Sequence, residues 1–500
     1  PESRIEPQKM LVSGTHVQVD ISPTIAKYYL EVPKASLGDM RPDIERICGC
    51  LKEKTSLTNL SISGESLVEV SDTLRNGDWC ITAVIREEEE LCRIEIGNTT
   101  ERLYGVSIDV GTTKLAGYLV NLRTGETLST SSIVNPQSSY GGDVATRISY
   151  SMKGKQQLQE LQSLVIQGTN EMIEELCSKA KVDILEIYAM YFAGNTAMHH
   201  IFFGMNPKYI GLSPYIPAIG SPISMKAKDL GISINAGAYV NSLPNIAGFV
   251  GADAVADIIT SRIHKSEELA MVIDIGTNTE IAIGNKDKIA TCSTPAGPAI
   301  EGGHIKNGMK AETGAIEHLW IDPETLEPGY QVIGGGKPRG ICGSAIIDAV
   351  AHFHKTGIID NKGTIVENVN SKRIRKNEST GLLEYVIAWP DETASKKTIV
   401  INVMDVRQLL LAKAAIRTGV NVMLETIGVK AGDLKKLYLA GGFGTYVDPQ
   451  SARSIGMYPN IPLNIVKFIG NSAGAGAKMA LISSGIRDEA LNILKEIEPK

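Results

Sequence analysis

No apolar stretch in this sequence approaches the ~20 residues that a membrane-spanning helix needs, which excludes a spanning helix from the expectations. A charged and then apolar leader is missing at the start, so secretory export is not expected either. The seven cysteines, Cys48, Cys50, Cys80, Cys92, Cys177, Cys292 and Cys342, include no C-x-x-C pair. Only Cys48 and Cys50 lie close together, and two thiolates fall short of the four that hold an iron–sulfur cluster. An odd cysteine count without secretory features predicts ordinary thiols in a reducing cytoplasm, with no cluster in this chain. Excess positive charge is lacking as well: a net charge of -6 leaves no electrostatic footprint for nucleic acid.

What is present is an ordinary globular composition, 43% hydrophobic and 21% charged over 500 residues, enough for two to four domains with large cores. The stretch that organises it is Met271 to Gly284. A short apolar run ends in Asp274, a Gly276-Thr277-Asn278 turn follows, and a second apolar run leaves, which reads as a β-hairpin. Leu103 to Val120 repeats the pattern about 165 residues earlier, with Asp109 before Gly111-Thr112-Thr113-Lys114. Glycine lets a backbone approach closely. Hydroxyls and turn N–H groups hold phosphate oxygens, and an acid orients a metal-bound water. A repeat at this spacing implies two similar half-domains. Two such hairpins facing each other make a phosphate-gripping cleft.

Residues 1–100 read as a small α/β docking or dimerisation module. Strands are expected at Thr15–Asp20 and Lys27–Val32, helices from Arg41 and Ser63, and two further strands around the solvated acidic turn Glu87 to Glu90. The first half-domain spans 101–260. It continues past the hairpin with a third strand at Thr127–Ile133, a helix over Gln156–Ala180, a buried strand at Ile187–Ala193 and a helix opened by Asn195-Thr196. His199 and His200 follow on that helix. Adjacent helical residues point about 100° apart, so a shared metal is not expected. Residues 205–247 read as an irregular insertion, and Gly248 to Ile259 as a small-residue hinge helix carrying Asp253. The second half-domain spans 261–500. Its glycine-dense segment Pro295 to Lys310 is followed by a helix opened by Cys342-Gly343-Ser344, whose N-terminus takes a phosphate or else makes a tight crossover turn. Residues 360–400 read as a hairpin excursion. Leu437 to Thr445 is a strand ending in Gly441-Gly442-Phe443-Gly444, and a second small-residue helix follows Asn471. A start at Pro1 instead of methionine leads to the expectation of a fragment or a processed product.

The ordered set of Asp109-x-Gly-Thr-Thr, the Ala-rich helix at Asp253, Asp274-x-Gly-Thr-Asn, Gly441-Gly-Phe-Gly and the Gly-Ala helix at Gly474 resembles the acetate and sugar kinase, heat-shock chaperone and actin (ASKHA) superfamily. Within it, Ile273 to Glu280, Pro295 to His304, Gly194 to His199 and Leu439 to Gly444 resemble the RACo-like reductive activators of corrinoid proteins. The resemblance implies two ribonuclease-H-like α/β halves around a nucleotide cleft, with Mg-ATP between them and closure coupled to hydrolysis. Asp109 and Asp274 would hold Mg²⁺ through water, and Asp253 would position the attacking water. Gly111, Thr112, Thr113, Gly276, Thr277 and Asn278 would grip the phosphates, with Lys114 neutralising their charge. Gly441, Gly442 and Gly444 would lie against adenosine, and Gly343 and Ser344 are further nucleotide candidates. The implied activity is ATP-driven one-electron reduction of a Co(II) corrinoid protein to Co(I). Family members carry an N-terminal ferredoxin-like [2Fe-2S] domain whose cysteines this chain lacks, so electrons would come from a donor through a region not present here. A homodimer is expected. The alternative is an ASKHA small-molecule kinase, with Asp253 or Asp143 as base; an ATP-gated chaperone lacks a separate peptide-binding domain here.

Overall fold

The computed structural model of the chain describes residues 19–55, 57–442 and 447–499. Most of the strand expected at Thr15–Asp20 lies outside them. Near the start, β1 (Ile25–Glu31), β2 (Ser61–Ile62), β3 (Cys80–Arg86) and β4 (Glu90–Ile96) form a sheet in the order β1-β3-β4-β2. Helices α1 (Asp43–Thr55) and α2 (Gly64–Asn76) accompany it. The Ser63 side chain accepts from Ser66 N and starts α2, and Leu51, Val70 and Leu74 from the two helices fill a core with Ile81 and Leu91. Glu87 and Glu88 form an exposed turn in the left-handed region. This module rests on the next one: Glu95 accepts from both Lys27 Nζ and Tyr188 OH at 2.6 Å.

The next sheet holds β5 (Tyr104–Val110), β6 (Lys114–Asn121), β7 (Thr127–Val134), β8 (Ile187–Ala193), β9 (Ser224–Lys226) and β10 (Tyr239–Ser242), ordered β7-β6-β5-β8-β10-β9. Its helices are α3 (Val144–Ser151), α4 (Lys155–Ala180), α5 (Thr196–Phe202) and α6 (Ala252–Ser261). Two expectations are corrected here. The stretch 205–247 is not wholly irregular, because β10 pairs in parallel with β8 deep in the sheet. Its half-polar sequence hides this: buried Asn241 and Ser242 are satisfied by Ser224 and His199 from other segments. The hinge helix begins at Ala252 instead of Gly248, since Ile246 and Ala247 both donate to the Val250 carbonyl in a turn that precedes it.

The third region opens with β11 (Ala270–Ile275), β12 (Thr279–Gly284) and β13 (Ile289–Thr294). A small sheet of β14 (Ala315–Ile321), β15 (Pro328–Val332) and β16 (Gly340–Ile341) leads to α7 (Gly343–Lys355). The segment read as a hairpin excursion is a three-stranded antiparallel sheet, β17 (Ile374–Lys376), β18 (Leu383–Ala388) and β19 (Ile399–Asn402), anchored by buried Tyr385 against Phe353. Then come α8 (Val403–Ile427), β20 (Lys436–Ala440), α9 (Pro449–Ser454), β21 (Val466–Gly470), α10 (Ser472–Ile482), α11 (Ser484–Glu496) and β22 (Ile497–Pro499). The large sheet is ordered β21-β20-β11-β12-β13-β22.

Both large sheets contain one topology. β7-β6-β5-β8-β10 and β13-β12-β11-β20-β21 share an antiparallel first three strands, then two parallel ones, which is the ribonuclease-H-like arrangement. The register matches too: Asp109 pairs with Ala193, and Asp274 with Ala440. Each acid therefore sits near the end of its central strand. Between the halves, α6 packs on α10 so closely that a Cβ on Gly476 would lie 2.6 Å from Ala256 Cα. A buried cluster including Val255, Ile259, Ala473, Ala477 and Leu481 joins them.

Candidate active site

Each hairpin turn is braced from behind. In the first, Asn135 Nδ2 donates to the Gly111 carbonyl at 2.9 Å, and the fully buried Arg147 donates to the Thr112 carbonyl. Asn195 caps α5 by accepting from Met198 N, and its amide donates to Thr112 Oγ1 at 3.2 Å. The chain turns this tightly only with glycine at 111, where a Cβ would meet the Lys114 carbonyl at 2.8 Å. In the second turn, Thr277 Oγ1 donates to Glu301 Oε1 at 2.8 Å, and Gly297 N donates to the Thr277 carbonyl. The turns meet across the cleft, with Thr113 Oγ1 and Thr277 Oγ1 at 2.8 Å. Folding thus brings together hydroxyls 164 residues apart in sequence.

Beneath the turns lie acids with little compensating charge. Burial and the charge of Asp274 push the Asp109 carboxyl up to about 7, against a 3.0 Å hydrogen bond donated by Asn471 Nδ2. Burial also lifts Asp253, in the first turn of α6, to about 7, and Asp274 to about 6. Asp257, 1% exposed and one helical turn after Asp253, is held well above the carboxylate range by burial and then by Asp274. Burial followed by Asp253 and Asp274 does the same to Glu280. Asp257 Oδ2 and Glu301 Oε2 are buried without a hydrogen-bond partner among the described residues. Among the described residues, no three His, Cys, Asp or Glu side chains converge as a direct ligand set. Carboxylates crowded in this way, with orphaned oxygens and no convergent ligand set, suit a divalent cation that keeps its water shell. On the rim, burial lowers the Lys114 ammonium, which costs less when an anion lies beside it.

The cleft holds a cavity of about 120 Å³ that opens to solvent. It gathers the sequence-predicted acids Asp109, Asp253 and Asp274, and the turn residues Gly111 to Lys114 and Gly276 to Asn278. Gly441 and Gly442 line it as well; Gly441 has φ +90, and a Cβ there would meet the Ile275 carbonyl at 2.4 Å. Gly444 lies outside the described residues. Gly343 and Ser344 do not line the cleft: a Cβ on Gly343 would overlap the Ile300 carbonyl, and buried Ser344 donates to the Glu317 carbonyl. Asp143 instead caps α3, accepting from Thr146 N at 2.7 Å. His199 and His200 are buried and each ring nitrogen has a protein partner, Ser242 and Asn245 for one, Thr196 and Ala218 for the other. The seven cysteines are free thiols dispersed over the fold.

Four cleft-lining residues escaped assignment from sequence, Asn195, Glu280, Glu301 and Asn471, and so did Asp257, which Ser472 holds beneath them. Asn195, Glu280 and Glu301 stood inside phrases already singled out, so the signal was position beside a motif. Asp257 was detectable as the acid four residues after Asp253, on the same helix face.

The sequence matches three family models: RACo linker region over residues 14–101, RACo middle region over 104–266, and C-terminal domain of RACo, the ASKHA domain, over 268–499. It is 37% identical over 404 residues to the corrinoid activation enzyme RamQ of Eubacterium limosum, covering 79% of this chain and 68% of that protein. It is 27% identical over 424 residues to the Co(II) methylated amine-specific corrinoid protein reductase of Methanosarcina barkeri, covering 79% and 73%. Among solved structures, a reductive activator for corrinoid, iron-sulfur protein superposes with a TM-score of 0.89 at 36% identity, over 97% of this chain and 77% of that one.

Proposed function

The chain belongs to the RACo family, and from that premise we propose that it is a reductive activator that uses ATP to return a corrinoid protein from Co(II) to Co(I). The reduction takes one electron, which a donor would supply through a ferredoxin-like [2Fe-2S] domain. ATP occupies the cleft between the two ribonuclease-H-like halves.

Phosphoryl transfer asks chiefly for positioning and charge neutralisation. Asp109 and Asp274 would hold the waters of a magnesium ion, which would supply the charge neutralisation. Turn N–H groups at Gly111 to Thr113 and Gly276 to Asn278, with the threonine hydroxyls, hold the phosphates, and Lys114 adds a positive charge. Asp253 orients the attacking water; a carboxyl pushed up to about 7 accepts a proton near neutral pH. Adenosine lies against the backbone of Gly441 and Gly442, which line the cleft. Closure of the halves about α6 and α10 then couples the nucleotide state to the docked partner. We read the first hundred residues as the docking or dimerisation module of a cytoplasmic homodimer; Leu37 and Val68, 96% and 84% exposed, are apolar positions on its surface.

The observation that supports this reading most is the matched register of Asp109 and Asp274 on equivalent strands, under turns that touch at Thr113 and Thr277. The test is phosphate release from ATP with and without a Co(II) corrinoid protein, followed in parallel by the absorbance of Co(I) when a low-potential reductant is supplied. Stimulation by the partner and ATP-dependent Co(I) formation are expected. Phosphate transfer to a small metabolite, with no response to the corrinoid protein, would overturn the reading.

A further inference from the structure

Asn471 and Ser472 stand at the start of α10 in the second half of the chain, yet their side chains reach acids of both halves. Asn471 Nδ2 donates to Asp109 Oδ2 at 3.0 Å while its Oδ1 accepts from Gly474 N at 2.9 Å, capping the helix. Ser472 is fully buried. Its Oγ donates to Asp257 Oδ1 at 2.5 Å and stands 3.4 Å from Asp274 Oδ2. The Ser472 carbonyl accepts from Thr260 Oγ1 at 2.9 Å, tying the same step to α6. Strand β5 is therefore joined through Asp109, β11 through Asp274 and α6 through Asp257, all to two consecutive residues.

Two carboxylates that hold one hydrated cation must keep a set separation, and like charges in a dry cleft push each other apart. Asn471 donates to Asp109, and Ser472 donates its one proton to Asp257 while standing 3.4 Å from Asp274, so each contact restricts where a carboxylate can sit. Both donors ride on one rigid helix start, which cannot slide along α6 because Gly476 lies against Ala256. We propose that Asn471 and Ser472 are positioning residues that set the separation of Asp109 and Asp274 and so tune the cleft for the magnesium-bound nucleotide. The proposal rests on the reading of the cleft as a Mg-ATP site. Asn471 lines the cleft beside Asp109, and Ser472 lies buried behind Asp274. They act through the acids, as groups behind metal ligands do elsewhere.

Two substitutions separate positioning from packing. Ser472→Ala removes one oxygen and leaves the helix start its volume. Asn471→Ser keeps a good capping oxygen and adds no charge, but removes the amide that donates to Asp109. Binding of the non-hydrolysable analogue AMP-PNP is measured by calorimetry on the full chain, with and without Mg²⁺, beside a thermal melt. In the parent, Mg²⁺ raises affinity; in either variant that magnesium-dependent gain should fall about 10-fold or more, while binding of the metal-free analogue changes little. A purely structural role would lower the melting temperature and leave the gain intact, which overturns the proposal. If the parent chain binds no nucleotide at all, the reading of the cleft fails and this inference falls with it. Parent binding with unchanged variants sinks the inference alone.

Discussion

Asp274→Asn should stabilise the nucleotide-free protein while abolishing ATP hydrolysis. Asp274 is 9% exposed, and burial lifts its carboxyl from 3.8 to about 6 in the folded chain. Between those values the folded state binds more protons than the unfolded one, so stability falls as pH rises through the window and stays lowered above it. At roughly 1.4 kcal/mol per pH unit, the rise amounts to about 3 kcal/mol at most of destabilisation above about pH 7. An asparagine carries no charge to desolvate, so the variant should escape most of that cost; its amide oxygen still faces Ser472. Scanning calorimetry without Mg²⁺ should show a Tm higher by roughly 5 °C at about pH 8. The difference should shrink toward zero as pH falls below about 3, where the parent carboxyl is protonated in both states. Phosphate release should drop to background, because the oxygens that hold the cation's waters are reduced to one neutral carbonyl. A variant less stable than its parent at about pH 8, or an advantage that persists unchanged in acid, would refute the electrostatic argument.

Hydrolysis by the parent chain should decline as pH falls through about 7 to 6, where Asp109, Asp253 and then Asp274 take up protons; saturating Mg²⁺ should move the decline to lower pH, since the cation selects the ionised acids. Gly476→Ala places a methyl 2.6 Å from Ala256 Cα and forces α6 and α10 apart, so urea denaturation should report a loss of about 1–3 kcal/mol. Asp143→Ala breaks the capping box of α3 and should cost about 1 kcal/mol in the same assay. Its ATP turnover should equal the parent's, because Asp143 lies away from the cleft; a large loss of turnover would mean that this acid reaches the phosphates after all.

Local pattern was enough for the two hairpins, because an apolar run closed by Asp-x-Gly-Thr encodes strand, acid and turn within a dozen residues. The repeat about 165 residues apart made the two halves legible, and the glycine and alanine spacing of α10 announced a close helix crossing. Where neighbours in sequence do not supply the satisfying partner, the reading failed. β10 is short and half-polar, and only His199, Ser224 and the β8 edge make it a buried strand. Gly343 and Ser344 looked like an open helix N-terminus, whereas Ile300 and Glu317 close over them. Asp257 drew no assignment from the sequence, and its environment forms only where Ser472 and Asp274 come against it. Sequence by itself determined the two hairpins, their acids Asp109 and Asp274 and the turns after them, since each depends on contacts a few residues long; the ribonuclease-H-like halves and Asp253 came with the family resemblance. Tertiary structure alone decided the elevated proton affinity of those acids and the bracing by Asn195, Glu301, Asn471 and Ser472. Desolvation and hydrogen bonds between residues as far as 362 apart exist only once the two halves have closed on each other.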